Sequence, residues 1–353
     1  MEKIKVGITQ GDINGIGYEI ILKSMADPRI TEICTPVIYG SSKVAAYHRK
    51  ALDFQNISMS NVRSGDEANP KRINIVNCLH DDIRVELGKV TEISGDAALK
   101  AIEKAASDLK KNAIQVLVTA PINKKAIQCE KFDFPGHTEY LAQYFGGDPM
   151  MLFVKDNFKI GVVTGHIPLK YVPGAITKER IINKINTLNQ SLKIDFNIGK
   201  PKIAVLGLNP HASDNGLLGV EENEIILPAL EYVCNNNDIM ALGPYPADGI
   251  FSCKNYKHFD AILAMYHDQG LIPFKSLECK SGVNFTAGLP IIRTSPDHGT
   301  AFEIVGQNVA NHESFLAAIY LAVDIYNNRK EFKELTSNPL QRVDLSTMGN
   351  DGE

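Results

Sequence analysis

Three histidines of this sequence each follow a short apolar segment that has the length of a buried strand. They are His166 after KIGVVT, His211 after KIAVLGL and His267 after AILAMY. Parallel strands of one sheet end at the same edge, so the three imidazoles are expected to converge. Convergent neutral imidazoles suit zinc, cobalt, nickel or ferrous iron. The pattern therefore favours a divalent metal site, although each histidine taken singly is more typical of an ordinary loop.

Two carboxylates lie close to these histidines in the sequence. Asp268 directly follows His267, and Asp248 lies in the segment GPYPADGI, which is predicted to be a loop. Either carboxylate could be a further metal ligand, or could accept a hydrogen bond from a ligating imidazole.

A cation pair with an amide follows the last of the three histidines. Lys275, Asn284 and Arg293 each stand beside apolar or glycine positions. Such a set suits a substrate that carries phosphate and carboxylate, because arginine binds these groups through two parallel hydrogen bonds. The alternative is structural, with the two cations paired to acidic neighbours such as Glu278 or Asp297.

His137 and Thr138 stand at the predicted start of a helix, in FPGHTEYLAQYF (residues 134–145). A helix N-terminus carries free N–H groups and a partial positive charge, so these residues are well placed to hold an anion. The alternative is that Thr138 only caps the helix.

The segment Asp297, His298, Gly299, Thr300 and Ala301 lies between an apolar run and a helical pattern. Its glycine allows close backbone approach, and a helix N-terminus can face a diphosphate. Alone, this is a weak signal for a cofactor site.

A glycine-containing loop, residues 10–17 (QGDINGIG), follows the first predicted strand. It does not have the GxGxxG spacing, and no acidic residue stands where a ribose ligand is expected, so the usual dinucleotide fingerprint is rejected. A tight strand-to-helix turn and a phosphate or substrate site remain equally good interpretations.

The elements that must position these groups alternate along the chain, as in α/β proteins. Apolar patterns predict strands at residues 4–9, 35–40, 73–76, 114–118, 159–164, 202–208, 261–266 and 289–292. Helical spacing predicts helices at residues 41–50, 177–193 and 313–328, another that begins with Ser94 as N-cap, and the one within residues 134–145 that starts at His137 and Thr138. The remaining histidines, His48, His80, His258 and His312, lack this context and are predicted to be surface residues.

Composition narrows the class of protein. At about 150 residues per domain, a chain of 353 residues suggests two domains. A net charge of −4 gives no basic face for nucleic acid. No apolar run has the length of a membrane helix, and the N-terminus has no signal-peptide pattern. The six cysteines are scattered without a CxxC, which predicts reduced thiols and a cytoplasmic location.

Taken together, these motifs closely resemble the 4-hydroxythreonine-4-phosphate dehydrogenase family of pyridoxal phosphate biosynthesis. The matching stretches are TAPINK, FPGHTEYLA, GHIPL, NPHASDNGLLGVEE, PAD, YHDQGLIPFK and GVNFTAGLPIIRTSPDHGTAFEI, in the family's order. The first loop departs from the family's pattern, because Ile13 and Tyr18 stand where prolines are usual.

The resemblance implies a fold of the isocitrate and isopropylmalate dehydrogenase type. Two α/β/α domains would enclose an active site in the cleft between them. Residues 1–133 plus 290–353 would form the terminal, NAD-side domain, and residues 134–289 the central domain for the metal and for dimerisation. The active site would be shared between the two subunits of a homodimer.

The resemblance also implies roles for individual residues. The family's metal ligands match His166, His211 and His267, contributed by both subunits. The family's substrate residues match His137, Thr138, Lys275, Asn284 and Arg293. Residues 297–300 are assigned to the cofactor, NAD or NADP. The ion is one of zinc, cobalt, nickel, manganese or magnesium. The catalytic candidates are Asp268, Asp248 and Lys275, and the general base stays open among them.

The implied reaction is NAD-dependent oxidation of 4-phosphooxy-L-threonine, followed by loss of CO2. The partners are then this phosphorylated hydroxy-amino acid and a second copy of the chain, without nucleic acid or membrane. Sister enzymes that oxidise erythronate or threonate 4-phosphates are the nearest alternative. A phosphate acyltransferase, a metal-dependent hydrolase and a catalytically silent binding protein are further alternatives.

Overall fold

One mixed sheet runs through the whole of the described chain. The computed structural model describes residues 3–54, 57–79, 83–129, 132–277 and 281–338, and within them the strands form a sheet of twelve. These are β1 (Ile4–Thr9), β2 (Cys34–Gly40), β3 (Met59–Val62), β4 (Ile73–Asn77), β5 (Val116–Thr119), β6 (Met150–Lys155), β7 (Phe158–Val162), β8 (Lys202–Leu206), β9 (Met240–Tyr245), β10 (Ala261–Ala264), β11 (Val283–Ala287) and β12 (Arg293–Pro296). Their order across the sheet is β3-β4-β2-β1-β5-β12-β11-β6-β7-β10-β8-β9.

The sheet consists of two parallel blocks joined by antiparallel strands. The strands from β3 to β12 are parallel to one another, and so are β7, β10, β8 and β9. Between the blocks, β11 is antiparallel to both β12 and β6, and β6 is antiparallel to β7. The predicted α/β class is confirmed, and the strands that precede the three histidines are indeed parallel neighbours.

The two halves of the strand order follow the predicted segments. The six strands from β3 to β12 all come from residues 1–133 and 290–353, and the six from β11 to β9 all come from residues 134–289. The division of the chain into two domains at these boundaries stays a prediction. The seam between β12 and β11 is where the two halves meet.

Helices cover the sheet and connect its strands. Their bounds are α1 (Gly17–Met25), α2 (Arg29–Ile33), α3 (Ser42–Ala51), α4 (Glu92–Lys110), α5 (Lys124–Ile127), α6 (His137–Phe145), α7 (Val172–Ala175), α8 (Lys178–Ile194), α9 (Leu227–Asn237), α10 (Ala247–Phe251), α11 (His267–Leu277) and α12 (Glu313–Thr336). Strands such as β2 are buried along their whole length, as expected for parallel strands covered on both faces. None of the described helices has the length and apolar character needed to cross a membrane.

Several local predictions were wrong. The helix α4 begins at Glu92, because Thr91 rather than Ser94 is its N-cap and accepts a hydrogen bond from the Ser94 backbone. The segment around Asp248 is not a loop, since it contains the end of β9 and the helix α10. The apolar run at residues 289–292 precedes a strand instead of forming one, so Arg293 opens β12.

His48 was predicted to lie at the surface, and the structure contradicts this. Its side chain is buried, stacks on the ring of Tyr18 at a centroid distance of 5.2 Å, and donates from Nε2 to the carbonyl of Ile13 at 3.0 Å. His258 is exposed as predicted, His312 is half-buried, and His80 lies outside the described residues.

The cap of α4 gives a direct test of the local structure. Replacing Thr91 with alanine removes the acceptor for the Ser94 N–H and the Asn14 side-chain amide. The free energy of unfolding should fall by about 1 kcal/mol, as measured by urea titration. Thr91→Ser, which keeps the hydroxyl, is the control and should lose much less. Equal stability of the alanine variant and the wild type would contradict this cap.

Candidate active site

A cleft at the seam of the sheet gathers most of the polar residues that the sequence singled out. It has a volume of about 310 Å³ and is lined from both halves of the strand order. The predicted site residues in its walls are His137, His166, His267, Lys275, Asn284, Arg293, Asp297, His298 and Gly299. Thr138, His211, Asp248, Asp268 and Thr300 are predicted site residues that do not line it.

Arg293 is a buried cation whose hydrogen bonds, within the described residues, go to hydroxyls rather than to a carboxylate. Its side chain is held by hydroxyls: Nε and Nη2 donate to Thr119 Oγ1 at 3.1 and 2.7 Å, and Nη1 donates to Thr286 Oγ1 at 3.2 Å. Among the described residues these hydroxyls, and no carboxylate, accept its hydrogen bonds, while the carboxylate whose charge acts on it is that of Glu139. Burial lowers the pKa of Arg293 to about 10, so the guanidinium is still charged at neutral pH.

Two further polar atoms in the cleft are buried and unpaired. Among the described residues, neither Nε2 of His137 nor Oδ1 of Asn284 has a hydrogen-bond partner. A buried polar atom left unsatisfied costs roughly 1–3 kcal/mol, so such atoms are expected to meet a ligand or water. Burial, and then the charges of Arg293 and Lys124, hold the pKa of His137 well below its ordinary value. His137 is therefore neutral and can donate or accept.

Thr138 follows His137 in the first turn of α6 but does not act as a cap. The N-cap is Gly136, and no side chain caps this helix. The interpretation of Thr138 as a simple cap is therefore wrong, and its predicted role in substrate binding stays a prediction.

Lys275 reaches the cleft from α11 and is paired with Asp297. Its ammonium donates to the Asp297 carbonyl at 3.2 Å and lies 3.4 Å from Oδ1 of the same residue. The structural alternative is confirmed for this lysine with Asp297, while Glu278 lies outside the described residues. Burial raises the pKa of Asp297, and the neighbouring Lys275 opposes this rise.

His166 and His267 converge in the cleft, as predicted. Their ring centroids are 5.2 Å apart. Burial, and then the charges of Lys124 and His267, lower the pKa of His166 and favour its neutral form. Nδ1 of His267 donates to Asp268 Oδ1 at 2.7 Å, which leaves Nε2 of this ring free to bind another group. Asp268 thus orients His267 from outside the cleft.

His211 does not join the other two histidines within one chain. It is exposed, at the start of a turn in which five successive residues, 211–215, have φ values of 54°, 50°, 68°, 45° and 58°. Left-handed backbone costs roughly 1–2 kcal/mol per residue for most side chains. No cluster of three or more His, Cys, Asp or Glu side chains in the described ranges is placed to hold a metal ion. A single chain therefore brings two of the three predicted ligands together.

Asp248 is exposed on α10 and is separate from the cleft of its own chain. The sequence could not place it, because the segment predicted as a loop is a strand end and a helix. Of the three catalytic candidates, Lys275 lines the cleft, Asp268 contacts His267, and Asp248 does neither within the chain.

The segment predicted to bind the cofactor forms one wall of the cleft. Asp297, His298 and Gly299 face it, whereas the Thr300 carbonyl accepts from the Ile16 N–H at 3.1 Å. Nε2 of His298 is buried without a partner among the described residues. His298 can therefore still form a hydrogen bond through Nε2, whereas Thr300 is hydrogen-bonded to the loop of residues 10–17.

The loop of residues 10–17 is a tight structural turn. Its residues are buried, and the N–H groups of Asp12, Gly15 and Ile16 donate to protein carbonyls at 2.9 to 3.1 Å. The Asn14 N–H donates to the Asp12 carboxylate at 2.9 Å. Since these N–H groups are already used, the turn interpretation is favoured over a phosphate site.

The residue patterns did not predict which groups hold the arginine, although Thr119 opens the motif TAPINK. Thr119 ends β5 and Thr286 lies within β11, and both contact Arg293. A threonine inside a strand is common, so its type gave no signal. Lys124 also lines the cleft and was noticed only as part of TAPINK.

A larger cavity lies away from these groups. It has a volume of about 370 Å³, between α8 and α12. Its Arg329 donates to Asp195 Oδ1 at 2.6 Å and also to the carbonyls of Leu289 and Pro290. Because this cation is already satisfied, the cavity lacks the unpaired groups of the cleft at the seam.

Known proteins match this chain over most of its length. A family model described as "Pyridoxal phosphate biosynthetic protein PdxA" matches residues 32–322. The chain belongs to the PdxA family. A 4-hydroxythreonine-4-phosphate dehydrogenase of Bacteroides thetaiotaomicron is 52% identical over 342 residues, which cover 96% of this chain and 93% of that relative. The resemblance seen in the sequence motifs is confirmed.

Two further PdxA-like proteins extend the comparison. The crystal structure of 4-hydroxythreonine-4-phosphate dehydrogenase from Klebsiella pneumoniae superposes with a TM-score of 0.79 at 34% identity, covering 92% of this chain and 98% of that one. A protein of Oceanobacillus iheyensis, provisionally named a D-threonate 4-phosphate dehydrogenase, is 38% identical over 325 residues, covering 91% of this chain and 97% of its own.

The unpaired guanidinium predicts an anion site that can be measured without a substrate. Inorganic phosphate should raise the thermal unfolding midpoint of the wild type, because a ligand that binds only the folded state stabilises it. Arg293→Gln should abolish most of this rise, measured by calorimetry against phosphate concentration. Arg63→Gln, which removes an exposed arginine far from the cleft, is the matched control and should respond like the wild type. An unchanged phosphate response in Arg293→Gln would contradict the assignment.

Proposed function

We propose that the chain is an NAD-dependent 4-hydroxythreonine-4-phosphate dehydrogenase. The substrate is 4-phosphooxy-L-threonine and the first product is 2-amino-3-oxo-4-phosphooxybutanoate. A hydride leaves the carbinol carbon for the nicotinamide, and the hydroxyl proton is released. The β-keto acid then loses CO2 to give 3-amino-2-oxopropyl phosphate. In this role the enzyme belongs to pyridoxal phosphate biosynthesis, as the names of its relatives suggest.

The observation that carries this proposal is the unpaired Arg293 beside the His166–His267 pair. A buried guanidinium that, among the described residues, is hydrogen-bonded to two threonine hydroxyls and to no carboxylate favours a ligand with phosphate or carboxylate. The orphaned atoms of His137 and Asn284 supply further hydrogen bonds in the same cleft. These groups hold the anionic substrate, with Lys275 and Thr138 as its other proposed contacts.

The two converging imidazoles fit a divalent metal ion such as zinc, cobalt or nickel better than manganese or magnesium, which prefer oxygen ligands. Asp268 fixes the His267 tautomer so that Nε2 is free, and His166 is kept neutral by its surroundings. A bound ion would lower the pKa of the substrate hydroxyl and stabilise the enolate left after CO2 departs. His211 of the partner subunit supplies the third imidazole, because His211 is exposed and separate from the cleft of its own chain.

Residues 297–300 are the group that would hold the nicotinamide cofactor, chiefly through Asp297, His298 and Gly299, which line the cleft. His298 offers an unpaired Nε2, and Gly299 adds no side chain where a cofactor would approach. The chain positions the nicotinamide against the carbinol hydrogen. Lys275 is the proposed acid–base group that lines the cleft, and Asp268 acts by orienting His267. NAD rather than NADP, and a cytoplasmic location, remain predictions.

A panel of four-carbon phosphorylated acids tests the proposal. The purified protein with added Zn²⁺ or Co²⁺ should form reduced nicotinamide, read by its absorbance, most rapidly with 4-phosphooxy-L-threonine. Faster turnover of threonate or erythronate 4-phosphate would instead support the activity in the name of the Oceanobacillus relative. An absence of reduced nicotinamide with every member of the panel would exclude a dehydrogenase of this class.

Mixing two inactive variants tests the shared metal site. His166→Ala and His211→Ala should each lose metal and turnover, since each removes one ligand from every site. In a heterodimer of the two variants, one of the two sites keeps all three histidines. Unfolding and refolding an equal mixture makes about half of the dimers mixed, so about a quarter of wild-type activity should return. Mixing His166→Ala with His267→Ala is the control and should restore nothing, because both ligands come from one chain. No recovery in the first mixture would contradict sharing.

A further inference from the structure

The turn that carries His211 is held from outside by a buried carboxylate. Glu222, 1% exposed, opens the π-helical turn Glu222–Ile226, and its Oε1 accepts from the backbone N–H groups of Leu208 and Asn209, both at 2.7 Å. Its Oε2 accepts from the Asn209 side-chain amide at 2.9 Å. One carboxylate therefore fixes the backbone directly before the left-handed residues 211–215. Hydrogen bonds to an ionised acceptor are among the stronger ones in proteins.

The close approach of this carboxylate depends on Gly207. A Cβ at this position would lie 2.9 Å from Ala212 Cα and 3.1 Å from Glu222 Oε1. The Gly207 carbonyl also accepts from Gln269 Nε2 at 2.7 Å, and Gln269 Oε1 accepts from the Met265 N–H at 2.7 Å. Gln269 thus links the strand end before His211 to the strand end before His267. The hydrogen bonds of Gln269 therefore set the distance between the ends of β8 and β10.

We infer that Glu222 is a positioning residue for His211. Five successive left-handed residues would not persist in a short exposed turn unless neighbouring groups held them. Glu222 supplies that restraint and so fixes the direction in which the exposed His211 imidazole is presented to a second copy of the chain. This inference rests on the proposed function, in which His211 completes the metal site of the partner subunit. A π-helical turn next to a functional site is a recurrent arrangement.

The test measures metal binding by the full-length, metal-free protein. Zn²⁺ affinity is obtained by competition with a chromophoric chelator, and Co²⁺ binding by its visible absorption spectrum. Glu222→Gln replaces one acceptor oxygen with a donor and should weaken Zn²⁺ binding by about 10- to 100-fold, with an altered Co²⁺ spectrum. Glu224→Gln is the matched control: it removes the same charge from the same turn at an exposed position, and its Zn²⁺ affinity should match the wild type.

His211→Ala separates this inference from the proposed function. If His211→Ala loses Zn²⁺ while a folded Glu222→Gln binds it like the wild type, the positioning role of Glu222 is wrong and the metal site stands. If His211→Ala binds Zn²⁺ like the wild type, the three-histidine site itself is wrong, and this inference with it.

A second variant covers the case in which Glu222→Gln does not fold, as judged by circular dichroism and thermal unfolding. Gly207→Ala disturbs the same contact from the strand side and leaves every ionisable group in place. Its Zn²⁺ affinity should also fall, while phosphate should stabilise it as in the wild type, because the Arg293 site is separate. Wild-type Zn²⁺ affinity in a folded Gly207→Ala protein would overturn the inference.

Discussion

The buried guanidinium of Arg293 is the constraint on which the rest of the cleft depends. A cation removed from water without a carboxylate partner costs several kcal/mol unless other groups compensate. Thr119 and Thr286 provide hydroxyl oxygens from the two strands that flank β12, one on each side. This arrangement keeps the charge in place, with hydroxyls accepting its hydrogen bonds among the described residues and the charge of Glu139 acting on it from a greater distance. The buried positive charge at the seam between the two halves of the sheet therefore favours the binding of an anion there.

The charges and hydrogen-bonding groups around Arg293 are consistent with an anion site. His137 is neutral, because burial and the charge of Arg293 lower its pKa, so it adds hydrogen bonding without a second buried positive charge. Lys275 is already balanced by Asp297. His166 and His267 lie in the same cleft, and His211, the proposed third ligand, is exposed on a turn of left-handed residues. The residues of the proposed anion site all lie in one chain, whereas the proposed metal site needs a second copy.

Strands could be predicted from apolar runs in the sequence, but the position of a side chain that depends on a tertiary contact could not. Apolar runs identified β1, β2, β7, β8 and β10, because strands buried on both faces have an unmistakable composition. The histidines placed after such strands were expected to converge, and His166 and His267 do. His211 was beyond this argument, since a run of left-handed residues after β8 turns it away, and that turn depends on a contact to Glu222 that sequence spacing does not reveal.

Other misses have equally local causes. Residue type favours Ser94 as the cap of α4, but its hydroxyl donates to Asp12 and Thr91 is the N-cap. His48 belongs to no motif that would predict its burial, and it is buried by stacking on Tyr18. Motif resemblance identified the PdxA family, where residue patterns alone left a dehydrogenase, an acyltransferase and a hydrolase open.

The central claim is that one cleft binds a phosphorylated acid through Arg293, beside a metal held by His166 and His267. A crystal structure of the protein grown with Zn²⁺ and 4-phosphooxy-L-threonine tests it most directly, with anomalous data collected at the zinc edge. The predicted result is a zinc peak between His166 and His267, completed by His211 of the partner subunit, with a phosphate or carboxylate on the Arg293 guanidinium. A ligand bound elsewhere, with Arg293 still bonded only to Thr119 and Thr286, would contradict the account.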